Sequence, residues 1–155
     1  YCPMPISNEF KNRINDLVSD VYIDRKIRKS DLPKMIGIDY SSLSNAMEYG
    51  IVPTPRIAMR MAHYFECSIP YLLGLTDDEH FTKSKKNESF PDRIDLLCEA
   101  KKTDYAKVCK ECKLYRGYLA RWISHRYIPS WEFLDLLADY FDVSVDYLLG
   151  RTDDR

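Results

Sequence analysis

Glycine is scarce, at 5 of 155 residues, and no apolar run approaches the roughly 20 residues of a membrane-spanning helix. Charge of one sign is missing too. The 23 Lys+Arg and 24 Asp+Glu leave a net −1, so overall electrostatics do not announce a nucleic-acid partner. The opening Tyr1-Cys2-Pro3-Met4-Pro5 lacks a basic segment followed by an apolar core, and no secretory signal is expected. The five cysteines (Cys2, Cys67, Cys98, Cys109, Cys112) are odd in number and irregular in spacing. They argue against a disulfide framework and for a reducing, cytoplasmic setting. Cys109 and Cys112 have CxxC spacing, but no second pair and no nearby histidines complete a four-ligand zinc site. Buried thiols are the simpler expectation, although two thiols one helical turn apart could respond to oxidants. His63, His80 and His125 are scattered, and no Gly-rich phosphate loop, Ser/His/Asp grouping or paired-carboxylate motif accompanies them. Catalysis, a metal and a cofactor are therefore not expected. With 45% hydrophobic residues the chain is globular in composition.

What is present is a repeat. Residues 62–78, AHYFECSIPYLLGLTDD, align with 138–154, ADYFDVSVDYLLGRTDD, and eleven of the seventeen positions are identical at an offset of 76. Backward at the same offset, Pro53 meets Pro129, Leu43 meets Leu119, Ile38 meets Leu114 and Leu32 meets Val108. Phe10, Arg13, Ile14 and Leu17 match Phe90, Arg93, Ile94 and Leu97 at an offset of 80. The first copy thus has four extra residues, expected between its first and second helices. A polar stretch, TDDEHFTKSKKNES at 76–89, joins the copies. The expected organisation is an N-terminal domain at 10–78, a linker at 79–89 and a C-terminal domain at 90–155. The TDD after each last helix reads as a solvated exit turn.

Helical spacing recurs throughout and two-residue alternation is almost absent. Phe133, Leu134, Leu137, Ala138 and Phe141 form one stripe, and Ile57, Met61, Ala62 and Phe65 another. Ser68 and Ser144 are N-caps, and Gly74 and Gly150 end the following helices. In 30–50, Ser30 is expected to cap a short helix through Ile36. Gly37 then makes a turn, and a second helix runs from about Asp39 to Tyr49. Leu32, Ile36, Ile38, Leu43 and Met47 hold the two together. In 104–126, Asp104 caps, Val108 and Cys112 pack, Leu114 closes the turn, and Leu119 and Ile123 anchor the next helix. Two short helices around a tight turn can present the second to a major groove.

Each half resembles the phage-repressor (Cro/XRE-type) helix-turn-helix family. The resemblance is carried by LPKMIGIDYSSLSNAM with AHYFECSIPYLLG, and by VCKECKLYRGYLARWI with ADYFDVSVDYLLGRTDD. It implies an all-α fold of two five-helix lambda-repressor-like helix-turn-helix domains in tandem. It also implies sequence-specific binding of double-stranded DNA to regulate transcription, most simply as a repressor, by a homodimer or an internal pseudo-dimer. Departures occur: Pro33 and Cys109 stand where the family has a small residue, Lys113 replaces the turn glycine, and Lys29 and Tyr105 replace a phosphate-docking glutamine. Pro33 should make its helix start late. Lys113 would cost about 1 kcal/mol in a left-handed turn.

Local charge separates the copies. Lys101, Lys102, Lys107, Lys110, Lys113, Arg116, Arg121 and Arg126 face only Asp104 and Glu111 within 101–126, a local +6. That segregation suits phosphate neutralisation, where the bland alternative is a solvated face. Base reading is assigned to Arg116, Gly117, Tyr118 and Arg121, with His125 on the same side. Arginine donates two parallel bonds to guanine, and Gly117 would allow close approach. Phosphate contacts are assigned to Lys102, Lys107, Lys110, Lys113 and Arg126, while Tyr115 and Trp122 read as packing or docking residues. In the first copy the second helix has Asp39 and Glu48 and no Lys or Arg. Ser41, Ser42 and Asn45 are its candidate base readers, with Lys29, beside Arg25, Lys26 and Arg28, toward phosphates. The C-terminal half is expected to supply most affinity; if both halves read, half-sites would lie about 10 bp apart. The competing expectation is a protein-interaction module, an adaptor or anti-repressor, using the same surface.

Overall fold

Serine, threonine or aspartate stands at the N-cap of nine of the ten helices found among the described residues; the tenth has glycine there. Short polar side chains suit that position because their oxygens accept from backbone N–H groups that have no helical partner. The computed structural model describes residues 5–28 and 30–155. Among these the regular structure is helical, with one isolated bridge between Ile6 and Ile51. The chain divides into two compact units, Tyr1–Phe81 and Thr82–Arg155.

Unit 1 contains α1 (Asn8–Arg25), α2 (Leu32–Ile36), α3 (Tyr40–Tyr49), α4 (Pro55–Phe65) and α5 (Ile69–Leu72). Phe10, Ile14 and Val18 fall at four-residue spacing on α1 and are fully buried, while α1 packs against α3 and α5. Leu43 and Ala46 of α3, Ala58, Met61 and Ala62 of α4, and Leu72 of α5 complete that core. The start of α2 differs from expectation. Asp31, not Ser30, is its N-cap, without a side-chain cap bond, and Pro33 sits in the first turn. A proline there loses no helical hydrogen bond, so the ring is what sets the late start.

Unit 2 contains α6 (Phe90–Lys101), α7 (Tyr105–Glu111), α8 (Tyr118–Ser124), α9 (Trp131–Phe141) and α10 (Val145–Leu148). Ile94, Val108, Leu119, Leu134, Leu137 and Leu148 are fully buried, one or more from each helix. Each such side chain contributes about 1.5–3 kcal/mol of hydrophobic stabilisation. The four extra residues of the first copy lie inside α1 and not in the connection after it. Lys26 and Lys102 are equivalent left-handed C-caps, φ 52° and 55°, yet Arg13 and Arg93 sit thirteen and nine residues before them. Four residues are just over one helical turn, so the insertion lengthens the helix and nearly preserves its buried face.

The TDD motif is a latch and not a free exit turn. In unit 2 the Arg93 guanidinium, only 1% exposed, donates to the Thr152 carbonyl at 3.0 Å and to Asp153 at 2.9 Å. It also lies over the Tyr147 ring, 4.3 Å from its centre, and 3.2 Å from Glu88. In unit 1 Arg13 repeats the pattern with the Thr76 carbonyl, Asp77 and the Tyr71 ring. Part of the segment read as a linker belongs to the same arrangement. Ser84 donates its N–H to Arg151 and its hydroxyl to Asp153, and Thr152 donates to the Thr82 carbonyl. Those bonds are side-chain and turn bonds that a composition-based reading of 79–89 does not register.

Candidate nucleic-acid interface

α7 forms because Asp104 caps it, accepting from the Lys107 N–H at 2.8 Å, and because Val108 and Cys109 give it one buried side. Lys107 and Lys110, three residues apart, therefore fall on the opposite, exposed side. The turn that follows passes through Lys113 at φ 58°. A lysine occupies the left-handed conformation that Gly37 adopts at the equivalent place in unit 1, where φ is 88°. On α8 Leu119 and Trp122 are buried, which leaves Ala120, Arg121 and Ser124 outward. Lys102, Lys107, Lys110, Lys113, Arg116 and Arg121 are all exposed. None of these six side chains joins the ion pairs of the described residues. Arg126 is exposed but engaged: Asp92, held below the usual carboxylate range by bonds from Ser89, is lowered further by Arg126. Lys101 is also occupied, donating to the Tyr140 carbonyl at 3.1 Å over that residue's ring.

α8 begins later than the sequence suggests. In unit 1 the Asp39 carboxylate caps α3, which then runs ten residues. Tyr115 holds the equivalent position in unit 2, seventy-six residues on, and its phenol cannot accept in the same way. The helix starts instead at Tyr118, after Gly117 in a left-handed conformation at φ 87°, and has seven residues. Arg116 and Gly117 thus belong to a turn before the helix and not to its exposed side. Gly117 answers a backbone demand, and a Cβ built on it meets nothing within 4 Å.

Tyr118 is placed differently from a free base reader. Its ring is half-buried, 5.6 Å from Trp122 and 6.2 Å from Phe133, with Tyr115 edge-on at 5.3 Å. Tyr115 itself is 76% exposed, while Trp122 is packed as expected. Sequence reasoning missed Ala120 and Ser124, although helical spacing around Arg121 marks both as outward. Ser124 contacts the His125 ring Nδ1 at 3.0 Å.

The corresponding surface of unit 1 has other chemistry. Ser41 and Ser42, both candidate readers, donate their hydroxyls to Asp39, the second at 2.7 Å. These bonds push the Asp39 carboxyl down to about 2, so the cap stays charged and the two serines are committed to it. Asn45 alone of that trio leaves its side chain exposed without such a bond. Tyr40, Leu43, Ser44, Met47 and Glu48 line a shallow hollow on α3. No Lys or Arg occurs from Ile38 to Pro55. Arg60 of α4 is tied to the Gly37 carbonyl at 2.6 Å. Lys29 and the Arg25 side chain lie outside the described residues.

Cys67, Cys98, Cys109 and Cys112 are free and buried. Burial pushes the Cys98 thiol up to about 11 and raises Cys112 as well, which disfavours the reactive thiolate. Among the described residues no three His, Cys, Asp or Glu side chains are grouped to hold a metal ion. No helix of the described residues is long and apolar enough to cross a membrane. Comparison with protein-family models, with curated proteins and with solved structures gave no match to this chain.

Proposed function

We propose that the chain is a sequence-specific duplex-DNA-binding transcriptional regulator, a repressor, of two lambda-repressor-like helix-turn-helix domains in tandem. Unit 2 is its main reader. The observation that carries this reading is the set of six exposed, unpaired cations on the outward side of α7, α8 and their flanking turns. Six cations close together in sequence, with no carboxylate of the described residues in salt-bridge range, make a local positive surface of the kind that phosphates neutralise. In this account Lys102, Lys107, Lys110 and Lys113 neutralise phosphates, and Arg116 and Arg121 address guanine edges in the major groove. No metal, nucleotide or catalytic step is part of it.

A second reading has its own observation. α3 faces outward with Ser41, Asn45, Glu48 and Tyr49, an acidic and aromatic surface that would repel phosphates. Unit 1 as a protein-interaction module fits that surface better than a second, equal DNA reader does. Selection of the intact chain against a random duplex library separates the roles. Replacing Arg116 and Arg121 by alanine should abolish the enriched motif, whereas replacing Ser41, Ser42 and Asn45 should leave it intact. Loss of the motif only from the second set would reverse the assignment of the two units. Enrichment of no sequence by the unaltered chain would favour the interaction module for both.

A further inference from the structure

Between Lys101 and Arg126 one large apolar side chain is left in solvent, Tyr115, at 76% exposure. It stands in the turn before α8 with Lys113 two residues ahead and Arg116 next to it, both exposed and without ion-pair partners. Its ring is not loose. It meets Tyr118 edge-to-face at 5.3 Å, Tyr118 rests on Trp122 at 5.6 Å, and Trp122 rests on Phe133 at 5.3 Å. This chain of rings roots Tyr115 in α9 across α8, so docking it on a ligand sacrifices little side-chain freedom. Where unit 1 has the capping Asp39, unit 2 has this exposed aromatic.

Resting on the proposal that this face binds duplex DNA, we infer that Tyr115 reads thymine by packing its ring on the C5-methyl group. Bases in an intact duplex are stacked on one another and closed to intercalated reading of the single-strand kind. The major groove then offers an aromatic side chain one apolar group, the thymine methyl. The phenol lies at the end of α8 that would point at base edges, ahead of Arg116. Tyr115 is thus a specificity residue of the same surface, set by the ladder Tyr118–Trp122–Phe133 and adding an A·T preference beside the guanine preference of the arginines.

The test uses the intact chain and its best selected duplex, in which each thymine is replaced in turn by deoxyuridine to delete one methyl group. One thymine should carry a penalty of roughly 4-fold in Kd, the worth of one buried methyl. That penalty should vanish in Tyr115→Ala and persist in Tyr115→Phe, with circular dichroism confirming that both variants fold. A penalty of equal size in wild type and Tyr115→Ala overturns the inference, as does the absence of any thymine whose methyl matters. Either result leaves duplex binding standing. If the chain selects no duplex at all, the proposed function itself fails, and the assignment of Tyr115 falls with it.

Discussion

The two copies of the arginine latch share a tyrosine ring, a threonine carbonyl and an aspartate, and differ in burial and in the Glu88 and Ser84 that Arg93 also meets. Arg93 has a side chain 2% exposed and bonds Thr152, Asp153 and Ser84. Arg13, at 17%, pairs with an Asp77 whose side chain stands fully in solvent. Substituting methionine keeps the apolar stem and removes the charge. Arg93→Met strands two carboxylates, Glu88 and Asp153, beside a vacated buried site, and breaking a buried pair costs about 3–5 kcal/mol. Asp153 retains some access to water, which places the expectation near 3 kcal/mol, the low end of that range. Arg13→Met removes an exposed ion pair, the bond to the Thr76 carbonyl and one ring contact with Tyr71, together worth about 1–2 kcal/mol. Thermal unfolding reads the difference. For a unit of this size 1 kcal/mol moves Tm by about 4–8 °C, so Arg93→Met should lower it by more than about 10 °C. Both tryptophans, Trp122 and Trp131, lie in unit 2, so their fluorescence follows the Arg93 variant. Circular dichroism follows the Arg13 variant. Equal shifts in the two variants would refute the reasoning that burial and the added Glu88 and Ser84 contacts strengthen this latch.

Tyr105 and Tyr140 are both pushed up to about 12, the first by burial and then its bond to Asp95, the second by its bond to Glu111 and then burial. The folded chain therefore holds these protons more tightly than the unfolded chain does, and their stabilisation is complete below pH ~10 and lost as pH rises toward ~12. Absorbance titration of tyrosinate should show this late pair, and denaturation midpoints should fall over the same interval. Lys113→Gly should raise the stability of unit 2 by about 1 kcal/mol, because a non-glycine residue leaves the left-handed turn. It should also make the log–log salt slope of duplex binding shallower by about 1, because one phosphate contact disappears. Arg116→Ala should weaken specific binding by about 1–3 kcal/mol and relax one base position, measured by repeated selection; an unchanged motif would remove Arg116 from the readers.

Much of this architecture is legible in the residues because helix caps, turn glycines and apolar stripes are local signals. Ser68, Ser144 and Asp104 are found capping by their side chains where they were expected, and Gly37 turns with φ 88°. The repeat made Lys113 a candidate left-handed residue, and its φ is 58°. Part of what was hidden depends on contacts between separate elements, and part on which side chain takes a cap. The TDD motif looks like a polar exit turn until Arg93 and Arg13 are seen to reach it from about sixty residues upstream. The delayed start of α8 follows from the exchange of Asp39 for Tyr115, a comparison of caps that a charge count does not make. Ser41 and Ser42 read as free hydroxyls in the sequence because their bonds to Asp39 depend on the geometry of the first helical turn. Tyr118 read as outward because its neighbours Trp122 and Phe133 come together only when α8 meets α9.

The central claim is that the exposed cations of unit 2 meet DNA phosphates, and the salt dependence of binding by the intact chain tests it most directly. If Lys102, Lys107, Lys110 and Lys113 each neutralise one phosphate, log K against log salt concentration should fall with a slope of about −4. Replacing Lys107 and Lys110 together by glutamine should make that slope shallower by about 2. A chain that binds no duplex at low salt, or binds it with an affinity indifferent to salt, would contradict the account.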